Sequence, residues 1–418
     1  MDEDATSRKT QPVRGLVKLT AQATLGLADL VEAVHARVLQ GPLAAGADAN
    51  NRTGGLTGLV YRSIRGVTRL AGAGADELLG LLEPALQAGG TFPQGDALVS
   101  ALNGVLGDHL ERTHNPLALP MSLRAGGREL VRYNAERAAD LAPDLAAALP
   151  AAGGAPLVLI HGLCMNDRQW RSAATGHDHG AALARDLGFT PLYLRYNTGL
   201  HIARNGEALA TLLEALVTHW PGPPQPLTLL GHSMGGLVAR SALHHGVAAG
   251  HRWPGQVGDL LFLGTPHHGA PLERLGHWFE RLLGQTPYAA PFARLGRLRS
   301  EGITDLRHGS LVAQDWQGRD RFASTPAVPQ HLPLPASLRC YAVAGSLGSE
   351  PDELKNRLLG DGLVPLDSAL GRHRDPQRTL AFPPERQWIA QGVGHLALLE
   401  DAAVYAQLLQ WLRPWQLA

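Results

Sequence analysis

The sequence predicts an α/β fold built on a mostly parallel, doubly wound sheet. The first observation is a set of short apolar runs at 157–160, 191–196, 227–230, 260–263, 340–344 and 387–390. They are mostly continuous and not alternating, as strands covered on both faces require. The second is that helix-period segments, such as 205–218 and 237–245, lie between them, which implies alternating β and α units. The third is that the polar residues with chemical potential stand just beyond these runs, where such a sheet gathers its reactive groups.

Taken in order, the chain opens with a region that reads as helical to about residue 115. Leu27, Leu30, Val31, Val34 and Val38 fall at helical spacing. Leu56, Leu59, Val60, Ile64 and Val67 form a second set, and Leu98, Leu102, Val105 and Leu106 a third, with Asp96 as its expected N-cap. Glycine-rich breaks at 41–55 and 89–95 separate the sets. Residues 121–131 read as a hairpin around Gly126-Gly127. A helix is expected from about 134 to 149, and a turn at 150–156 leads into the sheet. The expected division is a helical N-terminal region, 1–115, and a sheet-bearing domain, 116–418.

Composition narrows the class. The 418 residues carry 37 cationic and 37 acidic side chains, with 44% hydrophobic and 18% charged residues. That is a globular balance. Net neutrality argues against a nucleic-acid partner, which calls for a basic excess. No run of cations in the sheet-bearing part calls for a polyanionic substrate. Two cysteines, Cys164 and Cys340, build no disulfide framework and fit a reducing compartment. The polar, acidic start lacks the pattern of a secretory signal. The longest stretches free of Asp, Glu, Lys and Arg contain proline and paired glycines, so none reads as a membrane span. A cytoplasmic protein is expected.

The chemistry centres on Gly231-x-Ser233-x-Gly235, which follows an apolar strand and opens a helix. Such a turn is so sharp that side chains at 231 and 235 would clash, and it pushes the serine hydroxyl into the open. The helix N-terminus favours negative charge developing beside it. A serine needs a base to take its proton. The order serine, acid, histidine is completed by Asp361 and His395, each beyond a predicted strand. Asp367 is a rival acid, better read as the N-cap of a surface helix. An oxyanion hole needs two backbone N–H groups. Met234, next to the nucleophile, and Leu163, after the first parallel strand, are the candidates. His161 and Gly162 shape that turn on the substrate side. His161 precedes the serine, so an orienting role suits it better than that of base.

Leu159-Ile-His-Gly162, Gly231-His-Ser-Met-Gly-Gly236, Gly264-Thr-Pro-His-His-Gly269, Gly360-Asp-Gly-Leu-Val-Pro365 and Gly394-His-Leu396 together resemble the α/β-hydrolase superfamily. They are similar in particular to its branch of bacterial lipases and GPI inositol-deacylase-like serine esterases. The resemblance runs from about Pro156 to the C-terminus. It implies the α/β-hydrolase fold with an inserted cap, and a serine esterase whose nucleophile, acid and base are Ser233, Asp361 and His395. It implies no cofactor, and a small-molecule or lipid ester as substrate. Some secreted lipases hold calcium with an aspartate just after the catalytic histidine; Leu396 and Ala397 stand there, against a calcium site.

The insertion spans about 270–335 and is rich in aromatic and leucine residues: Trp278, Phe279, Leu282, Leu283, Tyr288, Phe292, Trp316 and Phe322. These either line an acyl pocket or pack the cap on the core. His177 with His179, and His267 with His268, lack further ligands at a recognisable metal spacing, so no metal is expected. The loop 195–199 is a candidate lining of the cleft. Cys164 reads as a buried filler beside the oxyanion loop. Arg62, Arg65 and Arg69 share one face of the second N-terminal helix. That face offers either a peripheral contact with an anionic lipid surface or a solvated side on a packed helix.

Overall fold

The computed structural model describes residues 93–143, 145, 149, 154–221, 223–270, 300–318, 328–348 and 360–413. The first two predicted N-terminal helices, with Arg62, Arg65 and Arg69, lie outside them, as do Trp278, Phe279, Leu282, Leu283, Tyr288, Phe292 and Phe322. The chain divides into two compact units: residues 1–92 with 110–118, and 93–109 with 119–418. In the first, the described residues form a tight turn in which Asn115 Oδ1 accepts the Leu117 N–H at 2.9 Å. All described strands and helices belong to the second unit, apart from the end of its first helix.

That helix, α1, is Pro93–Arg112. Proline suits the first helical position because its missing N–H would be unpaired there anyway. The helix therefore starts earlier than predicted, and Asp96 is not its N-cap. Asp96 instead lies in the first turn and pairs with Arg168 at 2.7 Å and Arg195 at 3.4 Å.

Nine strands form one sheet in the order β3-β2-β1-β5-β4-β6-β7-β8-β9. The antiparallel edge comprises β1 (Ser122–Ala125), β2 (Arg128–Asn134) and β3 (Ala138–Leu141). Gly126 and Gly127, at φ 54° and 78°, supply the left-handed turn that the predicted hairpin needs. The predicted helix from 134 is wrong at its start, where β2 turns into β3. Asn134 Oδ1 accepts the N–H groups of Glu136 (2.9 Å) and Arg137 (3.2 Å), and Ala138 comes next at φ 69°. This side-chain-to-backbone pairing competes with a helix and wins.

The parallel part comprises β4 (Pro156–Ile160), β5 (Thr190–Arg195), β6 (Leu227–His232), β7 (Val257–Leu263), β8 (Arg339–Ser346) and β9 (Gln387–Gln391). All six predicted runs are strands, each within a few residues of its predicted ends. Helices cover both faces. On one, Leu157, Leu159, Leu230, Leu261, Leu263 and Val343 pack with Leu183 of α2 (His179–Leu187) and with Val404, Leu408 and Leu412 of the last described helix, α7 (Ala402–Leu412). Strand alternation sends Val158, Ile160, Leu229, Leu260 and Phe262, all buried, to the other face. The helices α3 (Ile202–Thr218) and α4 (Met234–Ala248) pack on each other. A Cβ at Gly206 of α3 would fall 2.6 Å from the Ser241 Cβ of α4, so glycine sets how closely they cross.

The helices α5 (Glu301–His308) and α6 (Leu366–Ala369) are the remaining described helices of the unit. The described part of the predicted cap is tied to the core. Ser300 caps α5 and also donates to the Gly104 carbonyl at 2.6 Å. Buried Asp305 accepts the Ile202 N–H at 2.8 Å, satisfying the start of α3. Among the described residues no helix is long and apolar enough to cross a membrane.

Candidate active site

The elbow forms where β6 ends and α4 begins. Ser233 holds φ 54° and ψ −124°, a strained conformation for a residue with a side chain. Its N–H donates to the Leu263 carbonyl at 2.8 Å, anchoring it to β7. The glycines are required by close approach: a Cβ at 231 would stand 2.5 Å from Gly236 Cα, and one at 235 would run into the Ile160 carbonyl. The turn after β4 approaches from the other side. A Cβ at Gly162 would lie 3.1 Å from both Ser233 Cβ and His232 Nδ1.

Asp361 sits in the turn beyond β8, between Gly360 at φ 55° and Gly362 at φ 94°. The carboxylate is fully used. Oδ1 accepts the N–H groups of Leu363 (3.0 Å) and Val364 (2.8 Å), and Oδ2 meets His395 Nδ1 at 2.6 Å. The His395 N–H also returns to the Asp361 carbonyl at 3.1 Å, so the two loops are doubly joined. An ionised carboxylate only accepts, so the His395 proton is on Nδ1. Its Nε2 is left with a lone pair, buried and without a hydrogen-bond partner among the described residues.

Two contacts bring this pair to the elbow. His232, the residue before Ser233, has Nε2 at 3.1 Å from the His395 carbonyl. Gly264, next to the carbonyl that anchors Ser233, is flanked by the pair: its Cβ would lie 3.0 Å from Asp361 Oδ2 and 3.1 Å from His395 Nδ1. Asp367 is not a cap. It lies within the first turn of α6, whose N-cap is Pro365, and the His395 Nδ1 position is already taken by Asp361.

The loop after β4 presents its amides selectively. The Cys164 N–H donates to Thr198 Oγ1 at 3.1 Å, and the Met165 N–H to the Gly162 carbonyl at 3.3 Å. Among the described residues neither the Leu163 nor the Met234 N–H is engaged. Cys164 takes φ 61° with its thiol buried, and burial raises the thiol's pKa, so it is an inert filler. His161 is fully buried, stacked on Tyr196 at 4.4 Å, with Nδ1 at 2.9 Å from the Gly162 carbonyl. Desolvation lowers its pKa to about 4, so it props the turn as a neutral ring. Thr198 is not marked individually by the sequence. Only a tertiary bond to position 164 singles it out.

The rest of the loop 195–199 is structural. Asn197 Nδ2 donates to the Gly107 carbonyl at 3.0 Å, and Arg195 pairs with Asp167 at 2.5 Å. Trp316 stacks on His201 at 3.7 Å between ring centroids, nearly parallel, which makes it a packing residue of the cap. His177 and His179 bond each other at 2.8 Å, and His179 Nε2 lies 3.0 Å from the Leu398 carbonyl. Among the described residues no cluster of three or more His, Cys, Asp or Glu side chains is placed to hold a metal ion.

Residues 151–330 match the model of the PGAP1-like alpha/beta domain family, which covers less than half of the chain. No curated protein matches it. Among solved structures it is similar to the mature form of the Bacillus licheniformis lipase BlEst2, with 19% identity and a TM-score of 0.39, over 62% of this chain and 91% of that one. It is also similar to the Pyrococcus furiosus esterase Pf2001 (10%, TM-score 0.36, 63% and 85%) and to a hyperthermophilic esterase from Pyrobaculum calidifontis (12%, TM-score 0.38, 64% and 77%). With the strand–elbow–helix unit inside a mostly parallel sheet and the family match over it, this domain has the α/β-hydrolase fold.

Proposed function

We propose that the protein is a serine hydrolase that cleaves a carboxylic ester through an acyl-enzyme on Ser233. The observation that carries this reading is the Asp361–His395 bond, which leaves Nε2 unprotonated and unpartnered on a loop bonded to the elbow. In the first step Nε2 takes the Ser233 Oγ proton as the oxygen attacks the ester carbonyl. The carbonyl π pair moves onto its oxygen, and the N–H groups of Leu163 and Met234 stabilise that charge. Collapse expels the alcohol, which receives the proton from Nε2. Water then repeats the sequence and releases the acid. Asp361 keeps the ring in the required tautomer and stabilises its cationic form. The acyl group is expected to be hydrophobic or lipid-like, on the strength of the aromatic and leucine residues between 270 and 335.

A thioesterase, an amidase, a polyester depolymerase and an acyltransferase would use the same residues. A chain-length series of esters and thioesters separates them. A non-catalytic binding module is the reading from another class, and a fluorophosphonate that fails to label the protein would favour it. The decisive variant is Ser233→Ala. Turnover of a short p-nitrophenyl ester is expected to fall at least about 10³-fold, with the circular dichroism spectrum unchanged. Retained turnover would overturn the assignment.

A further inference from the structure

A cavity of about 480 Å³ opens beside α4 and is lined by none of Ser233, Asp361 and His395. Its described wall carries three guanidinium groups, from Arg240, Arg307 and Arg378, and five histidines against a single carboxylate, Asp375. These residues come from positions 240 to 378, so no run of cations announces the cluster in the sequence.

Arg240 is the most telling member of that wall. Its side chain is buried, and burial lowers its pKa only to about 10, so it is charged at neutral pH. A buried charge is normally paired with an opposite one. Among the described residues Arg240 meets no carboxylate. It donates to the Leu332 carbonyl at 2.5 Å and to His267 Nδ1 at 3.3 Å.

That second bond sets the state of His267. A guanidinium only donates, so His267 Nδ1 accepts and the proton sits on Nε2. This Nε2–H is buried and has no acceptor among the described residues. Arg378 repeats the pattern. One nitrogen donates to the Pro329 carbonyl at 3.0 Å, while Nε is buried without a partner among the described residues. Among the described residues the wall thus offers unpaired positive charge and two donors lacking acceptors. An anion with several acceptor oxygens is the chemical complement of such a wall.

We propose that this cavity binds a phosphate-type oxyanion, held by Arg240, Arg307, Arg378 and His267. Three guanidinium groups and an imidazole N–H supply more donors than a carboxylate's two oxygens use, whereas a tetrahedral dianion takes them on several sides. Arg240 lies seven residues beyond Ser233 on α4, about 10 Å along the helix axis. That separation lets the anion be either a free phosphate or the charged group of a substrate whose ester reaches Ser233. The binding claim is independent of the esterase reading; the substrate arm of the test rests on it.

The test is calorimetric titration of the full chain with inorganic phosphate at pH 7.5, against sodium chloride at matched ionic strength. Saturable heat is expected, with Kd at least about tenfold weaker in Arg378→Gln, the usual scale for one charge-assisted hydrogen bond. Arg307→Gln is the second variant should the first fold poorly by circular dichroism. In parallel, KM is compared for two esters differing only in a phosphate monoester on the alcohol. A tenfold KM advantage of the phosphorylated ester that Arg378→Gln removes assigns the site to the substrate's head group. Phosphate binding without that advantage assigns it to a free anion. No saturable heat, together with the same KM ratio in the wild type and Arg378→Gln, overturns the proposal. If no ester is turned over, the calorimetry decides alone.

Discussion

Two buried histidines, His395 and His267, make opposite use of the same ring. His395 lies against a carboxylate and His267 against a guanidinium. The carboxylate draws the proton to Nδ1 and leaves Nε2 as a base. The guanidinium occupies Nδ1 with a donor and forces the proton onto Nε2, which can then only donate. Burial and residue type are shared, so the partner at Nδ1 alone decides whether Nε2 is a proton acceptor or a donor. A histidine in a buried cluster is therefore read from what touches its other nitrogen.

The sharpest way to break this contrast is Asp361→Asn. If the amide turns its NH2 toward the ring, His395 is placed in the His267 arrangement, with the proton driven to Nε2. Comparable substitutions in other serine triads lower kcat by about 10⁴ while leaving geometry intact. A fall of that order in p-nitrophenyl ester turnover is expected, with stability in urea little changed. A fall below about tenfold would show that the pairing of Asp361 with His395 does not set the chemistry.

A second measurement sharpens the comparison through pH. Histidines that lack a carboxylate partner are held neutral by burial: His161 and His179 have pKa values lowered to about 4, and His267 is also lowered well below its ordinary value, by desolvation first and then by Arg240. Unfolded histidine titrates near 6.5, so between about pH 6.5 and 4 the unfolded chain binds more protons. Stability is complete above pH 6.5 and falls through that window. His161 and His179 account for a loss on the order of 2–3 kcal/mol apiece by pH 4. Urea midpoints measured from pH 7.5 to 4 are expected to drop steeply, and His179→Phe to flatten the slope. A flat profile would mean these rings are not buried neutral.

The smallest effect concerns the amide loop. Thr198→Val removes the acceptor of the Cys164 N–H and loosens the loop that carries the Leu163 N–H. About a tenfold loss in kcat with KM little changed is expected, as for loosening one oxyanion donor without deleting it. A change in KM alone would detach Thr198 from the oxyanion role proposed for that loop.

Much of this architecture is legible in the residues alone. The six parallel strands show as apolar runs, and the elbow shows because glycine at 231 and 235 has a steric reason that the structure displays directly. The order of Ser233, Asp361 and His395 matches the loops of the sheet. The features hidden from the sequence depend on contacts between distant positions or on weak local signals. Strand β3 has the sequence Ala-Ala-Asp-Leu, with little β preference, and exists because Asn134 turns the chain back. Asp96 has the look of a cap, but Pro93 starts the helix earlier. His267 and His268 resemble half of a metal site, and only folding shows that a guanidinium 27 positions away fills the place of the metal.

The bond from the His232 ring to the His395 carbonyl has a mechanical consequence. It ties the chain segment bearing the proposed nucleophile to the one bearing the proposed base, and the Ser233 N–H ties both to the third strand of the group, β7. These groups are members of a single braced frame, whose wear is shared. Heat or denaturant has no hinge here at which to unfasten the corner alone, so the chemistry is lost when the sheet itself gives way.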